Sequence, residues 1–416
     1  MSLRADAEQI IKSSIDAVLP EAAVKEALKD ERFLARKALG GKIILAAIGK
    51  AAWRMADAAA YELGDISGAV VTKYEHSMGD IKGLEIYEAG HPVPDENTIN
   101  GTKNLLKHIE AANLSERDTV LFLVSGGGSA LFELPAEGVS LADMADITKQ
   151  LLACGADIVE INTIRKHLSA VKGGRFAKLC APARVYMVVL SDVLGDRLDS
   201  IASGPAWPDA SSSQDALKIV KKYNLNLNNN LINILSRETP KELDNVDAVI
   251  TGSVTALCQA AMRIASGLGY EPELLTTTLD CEAREAGAFM AAIARERAKL
   301  NKKIAVIAGG ETVVHLTGKG MGGRNQEFAL SAARGIAGFD NIVIASVGSD
   351  GTDGPTDAAG GIVTGATKDL LNNLNINIEE VLKNNDAYNA LKAVNSLVMT
   401  GPTGTNVNDF AIALIN

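Results

Sequence analysis

Short, uninterrupted apolar runs recur along the chain, each running into glycine or a hydroxyl residue and then into a stretch with helical apolar spacing. Lys42–Ile48, Val120–Val124, Val185–Leu190, Ile304–Ala308 and Ile342–Val347 have the length and composition of strands buried on both faces of a parallel sheet. Ala69–Lys73, Leu84–Ala89, Ala248–Thr251 and Glu273–Thr277 add further strands, and the chain closes on another apolar run after Asp409. Between them the spacing predicts helices over Asp6–Val18, a second to about Leu39, one ending near Leu63, Leu141–Ala153, Asp157–Leu168, Thr255–Leu268, Glu282–Leu300 and Gln326–Arg334. Strands alternating with helices throughout predict an α/β fold with mainly parallel sheets. The pattern is diluted by Ser211–Ser213, the asparagine-rich Asn224–Asn233 stretch and Pro240, then restarts at Ala248. A boundary is expected at 235–245, giving domains 1–240 and 241–416.

The chemistry to look for lies where strands end, because open α/β sheets bind ligands beyond the carboxyl ends of their strands. The strand Val120–Val124 runs into Ser125-Gly126-Gly127-Gly128-Ser129. Without Cβ atoms, successive N–H groups can turn toward one point and make a nest for phosphate or carboxylate; a plain flexible turn is the alternative. Lys50 follows Gly49 at another strand end and is a candidate anion ligand. His91 lies in a loop stiffened by Pro92 and Pro94, as an acid–base group or as a histidine tied to that loop. Asn162, Arg165 and Lys166 fall at helical spacing, which can put Asn162 and Lys166 on one side; a solvated helix face is the bland alternative.

In the second half, Gly318, Gly320 and Gly323 match G-x-G-x-x-G. The motif does not open a recognisable Rossmann half, and no acid stands convincingly about 20 residues on, as a dinucleotide site requires. Lys319 and Arg324 place two cations on this loop, which suits a polyphosphate better, with Arg324 at the start of a helix. Asp350, Asp353 and Asp357 stand in a glycine-rich loop, and Asp192 ends another strand. Asp192, Asp350 and Asp353 are candidate oxygen ligands for Mg²⁺, with an acidic turn as the alternative.

Composition narrows the partners. The net charge of −10 argues against nucleic acid or an acidic membrane surface. No apolar run approaches the ~20 residues of a membrane span. The N-terminus lacks the order of a signal peptide, and the four cysteines form no C-x-x-C pair, so buried free thiols in a cytoplasmic protein are expected.

Taken in order, GKAA, AGHPVPDENT, LVSGGGSAL, INTIRKHLSAVKGGR, LSDVLGD, IASGP, AGGET, GGRNQE, GSDGTDGPTDAAG and TGTNVNDF resemble the glycerate 2-kinase family, whose second half is called the MOFRL domain. The resemblance runs from about residue 43 to 410 and is specific in its joint order. It implies ATP-dependent phosphorylation of D-glycerate to 2-phosphoglycerate, in a cleft between a Rossmann-like and a MOFRL-type α/β domain, with ATP and Mg²⁺. Lys50 and Arg324 match the basic residues taken as essential in the family. With Asp192 they are the catalytic candidates. Substrate and phosphate candidates are Ser125, Gly126, Gly127, Gly128, Ser129, Asn162, Arg165, Glu311, Lys319, Asn325 and Asn408. Some family members carry the name hydroxypyruvate reductase, so NAD(P)H-dependent reduction is the alternative activity, and a non-catalytic nucleotide sensor a third. A homodimer is one assembly the sequence leaves open.

Overall fold

The computed structural model describes residues 2–191 and 197–416. The chain divides into two compact units, 23–251 and 1–22 with 252–416. The N-terminal helix Leu3–Asp16 therefore belongs with the C-terminal half: Ala7, Ile10, Ile11 and Ile15 are buried, the Tyr270 hydroxyl donates to Asp6 at 2.8 Å, and the Thr405 hydroxyl donates to the Val18 carbonyl at 3.0 Å.

The unit 23–251 holds a six-stranded sheet of β1 (Ile43–Ile48), β2 (Ser67–Lys73), β3 (Leu84–Ala89), β4 (Thr119–Val124), β5 (Arg184–Leu190) and β6 (Val246–Gly252). Its order is β3-β2-β1-β4-β5-β6, and β1 to β5 pair in parallel. Every residue of β4 is buried, as its unbroken apolar run requires. The register sets Ile48 against Val71 and Val124, and Val124 against Val189, so the loops after β1, β4 and β5 leave one edge. A separate apolar cluster joins the helices Leu141–Ala153, Ile158–Leu168, Ser213–Lys222 and Asn229–Leu235 through Ile147, Leu151, Ile164, Ile219 and Leu235. The asparagine-rich stretch is part of this layer: Asn228 caps a helix that buries Leu231, Ile234 and Leu235.

The other unit holds β7 (Glu271–Leu279), β8 (Ile304–Gly310), β9 (Ile342–Gly348), β10 (Gly360–Thr364), β11 (Leu397–Val398) and β12 (Asp409–Ile415), in the order β11-β10-β9-β12-β8-β7. β7 and β8 pair in parallel, and β12 runs antiparallel between β8 and β9. β10 is antiparallel to β9, and β11 to β10. Hence β7, β8, β9 and β11 point one way, while β10 and β12 are reversed. The reversal of β12 matters chemically: its first residue, Asp409, lies opposite Gly310 and Gly348, at the carboxyl edge of β8 and β9.

Most predicted elements are present within a few residues of their expected ends. The single helix expected from Pro20 to Leu39 is two, Pro20–Ala27 and Glu31–Ala38, because Asp30 caps the second. Cys180 and Cys258 are buried free thiols as expected, whereas Cys154 and Cys281 are free but exposed. Cys154 is a helix C-cap and Cys281 follows the edge strand β7, so neither faces a core. No described helix is long and apolar enough to cross a membrane.

Candidate active site

Beyond the carboxyl edge of the first sheet, the loops after β1, β3 and β4 converge. Gly49 has φ +115° and lies so close to Ser125 that a Cβ there would come within 2.3 Å of its Oγ. Ser125, itself buried, accepts from Ala51 N at 3.1 Å and reaches the Ile48 carbonyl at 3.3 Å, while Lys50 N donates to the Gly126 carbonyl at 2.9 Å. Ser125 thus straps two loops together rather than facing a ligand. Gly127 sits in the left-handed region at φ +82°, where a Cβ would lie 3.0 Å from the His91 ring and 3.2 Å from Lys50 Cε. Lys50, His91 and the glycine loop therefore meet at one point. Among the described residues, the N–H groups of Gly126 and Gly127 have no hydrogen-bond acceptor, and neither Lys50 nor Lys73 has a carboxylate partner. Burial lowers the pKa of His91, and the nearby charges of Lys50, Lys73 and His76 lower it further, so its imidazole is neutral at pH 7. The result is a candidate anion nest with a histidine of lowered pKa beside it and two lysines that have no carboxylate partner among the described residues.

A buried network fixes this loop from below. The Ser129 hydroxyl meets that of Ser203 at 3.0 Å, and Ser203 donates to Asn162 Oδ1 at 3.2 Å. Ala202 and Ser203 both have positive φ, +51° and +61°, a strained turn for residues bearing a Cβ. Fully buried Lys172 donates to the carbonyls of Ser129 at 2.8 Å and Phe132 at 2.9 Å, with Glu133 at 3.6 Å. Burial pulls the pKa of Lys172 down, against the pull of Glu133. Asn162 is thus a support of the loop, while half-buried Arg165 faces the space beside Ser129 and Glu133. Lys166 is paired with Asp209 at 3.1 Å inside the unit. Asp192 and Asp196 lie outside the described residues.

In the second unit the helix Arg324–Gly335 starts two residues before the expected Gln326, so Arg324 is its first residue. Its guanidinium holds Asp409 through two nitrogens, one at 3.0 Å from Oδ1, and Glu311 at 3.2 Å. Burial works against this charge, but the Asp409 and Glu311 carboxylates win, and the pKa of Arg324 is raised. The guanidinium plane is therefore fixed at the carboxyl edge of β8 and β9. Asn325 is buried: its amide donates to Asp353 Oδ1 at 3.2 Å and its oxygen accepts from Ser346 at 2.6 Å. Asn408 is likewise buried, at φ +65°, with its carbonyl accepting from Ser349 N at 3.0 Å.

The aspartates of the 350–357 loop go three ways. Asp350 Oδ1 accepts from Thr352 N at 3.0 Å, and Asp357 accepts from the Tyr388 hydroxyl at 2.7 Å. Asp353 accepts from Asn325 N at 3.1 Å through one oxygen and from Gln326 N at 2.8 Å through the other. Burial nonetheless raises its pKa to about 7, with Asp409 adding to the shift against those N–H groups. Among the described residues no three acidic, histidine or cysteine side chains gather into a metal cage. The G-x-G-x-x-G glycines serve internal packing. A Cβ on Gly318 would lie 2.3 Å from the Asn384 carbonyl oxygen, on Gly320 2.4 Å from Asp386 Cβ, and on Gly323 2.3 Å from the Asp353 carboxyl carbon. Lys319 projects into solvent from this loop.

Sequence reasoning passed over Lys73, His76 and the Lys172–Glu133 pair. The rule that singled out Lys50 also reaches Lys73, the last residue of β2, since both stand at strand ends of one parallel sheet. Nothing in the sequence marked Lys172 as buried.

The chain matches the model of a domain of unknown function, DUF4147, over residues 6–236, and that of the MOFRL family over residues 304–409. It is 55% identical to the D-glycerate 2-kinase of Thermotoga maritima over 100% of its own length and 99% of that protein's. The chain belongs to the glycerate 2-kinase family. A glycerate 2-kinase of Pyrococcus horikoshii is 41% identical, over 100% of this chain and 98% of that one. The crystal structure of glycerate kinase from Thermotoga maritima superposes with a TM-score of 0.94, covering 100% of this chain and 99% of that chain.

Proposed function

We propose that this protein transfers the γ-phosphoryl group of ATP to the 2-hydroxyl of D-glycerate, giving ADP and 2-phosphoglycerate. The observation that carries this reading is the convergence of Lys50, His91 and Gly127, where the N–H groups of Gly126 and Gly127 and the lysine side chain have no partner among the described residues, in a chain of the glycerate 2-kinase family. Phosphoryl transfer depends mainly on positioning and charge neutralisation, and this point offers both. The acceptor oxygen bonds to phosphorus as the bond to the β-phosphate oxygen breaks, and the hydroxyl proton leaves; the neutral imidazole of His91 can accept it. Arg324, its plane fixed by Asp409, suits a planar carboxylate or phosphoryl oxygens.

Mg²⁺ supplies neutralisation of the phosphate charge when bound. Among the described residues single carboxylates stand apart, which suits an ion carried by the nucleotide, since such an ion takes one or two carboxylates. Asp350, half-buried and with its carboxylate bonded only to Thr352 N among the described residues, would hold it. Both oxygens of Asp353 already accept backbone N–H groups, so Asp353 serves less well. Hydroxypyruvate reduction loses its support in the chain, since the glycines of the G-x-G-x-x-G run are filled by residues 353 and 384–386.

The test is a coupled assay with ATP, Mg²⁺ and D-glycerate, in which enolase, pyruvate kinase and lactate dehydrogenase read the product without phosphoglycerate mutase. A 2-phosphate product gives signal and a 3-phosphate product is silent. Lys50→Ala and Arg324→Ala should each lower turnover roughly 10³-fold while staying folded, and Arg324→Lys should recover part of it. NADH oxidation with hydroxypyruvate, and silence in the kinase assay, would overturn the reading.

A further inference from the structure

In the unit 23–251 a cavity of about 530 Å³ opens beside the glycine loop. One wall is the helix Leu141–Ala153, which turns Leu141, Ala145, Thr148 and Leu152 toward the space while Ile147 and Leu151 face the core behind it. Pro92–Pro94, the continuation of the loop that brings His91 to Gly127, also line the cavity. The floor carries Ser129, Glu133 and Arg165. Leu152 is 62% exposed and Val93 65%, so the slot offers two exposed apolar side chains. Apolar side chains lining a cleft with a few polar groups are what a small-molecule site offers.

We infer that this slot takes the purine base of the nucleotide, with the ribose beside Ser129 and the phosphates running on to Gly126–Gly128, Lys50 and His91. This rests on the kinase reading above. Three observations favour the base over the other substrate. The volume is that of a small-molecule site, and an apolar slot with a few polar groups at one end suits a flat heteroaromatic ring. D-Glycerate is a short chain of carboxylate and hydroxyl groups with no apolar face to bury. The slot also adjoins the nest: Ser129, which lines it, follows Gly128 directly, and its lining residues Pro92–Pro94 continue the chain from His91, which meets Gly127. Besides Ser129, the polar residues of the lining are Glu133, Thr148, Lys149 and Arg165, of which Glu133 is already held by Ser169 and Lys172.

Ala145 is exposed on the slot wall and lies outside the helix's buried face, so Ala145→Trp fills the slot without touching the core. The expected result is a KM for ATP raised about tenfold or more, with the KM for D-glycerate within about twofold and the melting temperature unchanged. Inorganic tripolyphosphate, which keeps the phosphate contacts and lacks the base, should inhibit wild type and variant equally. Leu152→Glu is the second variant, with the same expected pattern, should the tryptophan disturb folding. An unchanged KM for ATP in a folded variant, or a rise in the KM for D-glycerate instead, overturns the assignment. So does a dimer in the wild type that either substitution dissociates without changing the KM for ATP, since the slot would then be covered by a second copy. If the wild type shows no turnover of ATP and D-glycerate, the kinase reading itself fails; turnover with an unmoved KM for ATP removes only the base site.

Discussion

At the scale of single residues, burial and partner decide which polar side chains are free for chemistry. Lys166 and Lys172 are deeply buried and held inside the unit, whereas Lys50 and Lys73 stand half-buried without a carboxylate at the end of the sheet. Asp353 illustrates the opposite balance. Its pKa, raised to about 7 from 3.8, means that the folded state holds its proton over a range where the unfolded chain has released it. A carboxyl shifted in this direction contributes stability below about pH 4, and the contribution is lost as the pH rises through about 7. Asp353→Asn removes that titration while leaving an oxygen to accept one backbone N–H of the following helix. Urea unfolding of wild type and variant from pH 4 to 8 checks it. Relative to the wild type, the variant should gain on the order of 1–4 kcal/mol across this window. A constant difference between the two proteins would show that Asp353 titrates normally.

At the scale of elements, the proposed anion nest depends on the backbone conformation of one loop. Gly127 combines φ +82° with a close approach to His91, so any Cβ there meets both a torsional and a steric objection. Gly127→Ala should raise the KM for ATP, and Gly127→Val should raise it further, with melting temperatures that fall much less in proportion. Steady-state kinetics beside a thermal melt separate the two effects, and an unmoved KM in a folded Gly127→Val protein would leave the loop as a plain turn. This loop was legible in the sequence because a two-faced buried strand followed by three glycines has few other uses. Lys50 was legible for a similar reason. The support beneath them was not: Ser203, Lys172 and Glu133 come from separate segments, and only the packing of β4, β5 and the 201–203 turn brings them to Ser129. In the other unit, the last strand read simply as apolar. Its insertion between β8 and β9, which delivers Asp409 to Arg324, is a matter of long-range pairing that local pattern does not encode.

At the scale of the whole molecule, the alternation of strand and helix announced an α/β chain with two sheets, but not which residues each sheet would recruit. The first helix has an ordinary amphipathic pattern, and such a pattern states only that one face is covered, never by what. It is covered by the C-terminal unit, with Ile10 fully buried and Asp6 bonded to Tyr270. Ile10→Ala should therefore destabilise the unit made of 1–22 and 252–416, by roughly 2–5 kcal/mol as for other large-to-small core changes. The chain provides a convenient separation of signals, because both of its tryptophans, Trp53 and Trp207, lie in the unit 23–251. Far-UV circular dichroism reports on all helices and strands, while tryptophan fluorescence reports on that unit alone. The expected outcome for Ile10→Ala is an earlier loss of dichroism in thermal or urea unfolding, with the fluorescence midpoint lagging behind it. If fluorescence and dichroism shift together, the two units unfold as one; if neither moves, the N-terminal helix is not part of the C-terminal core.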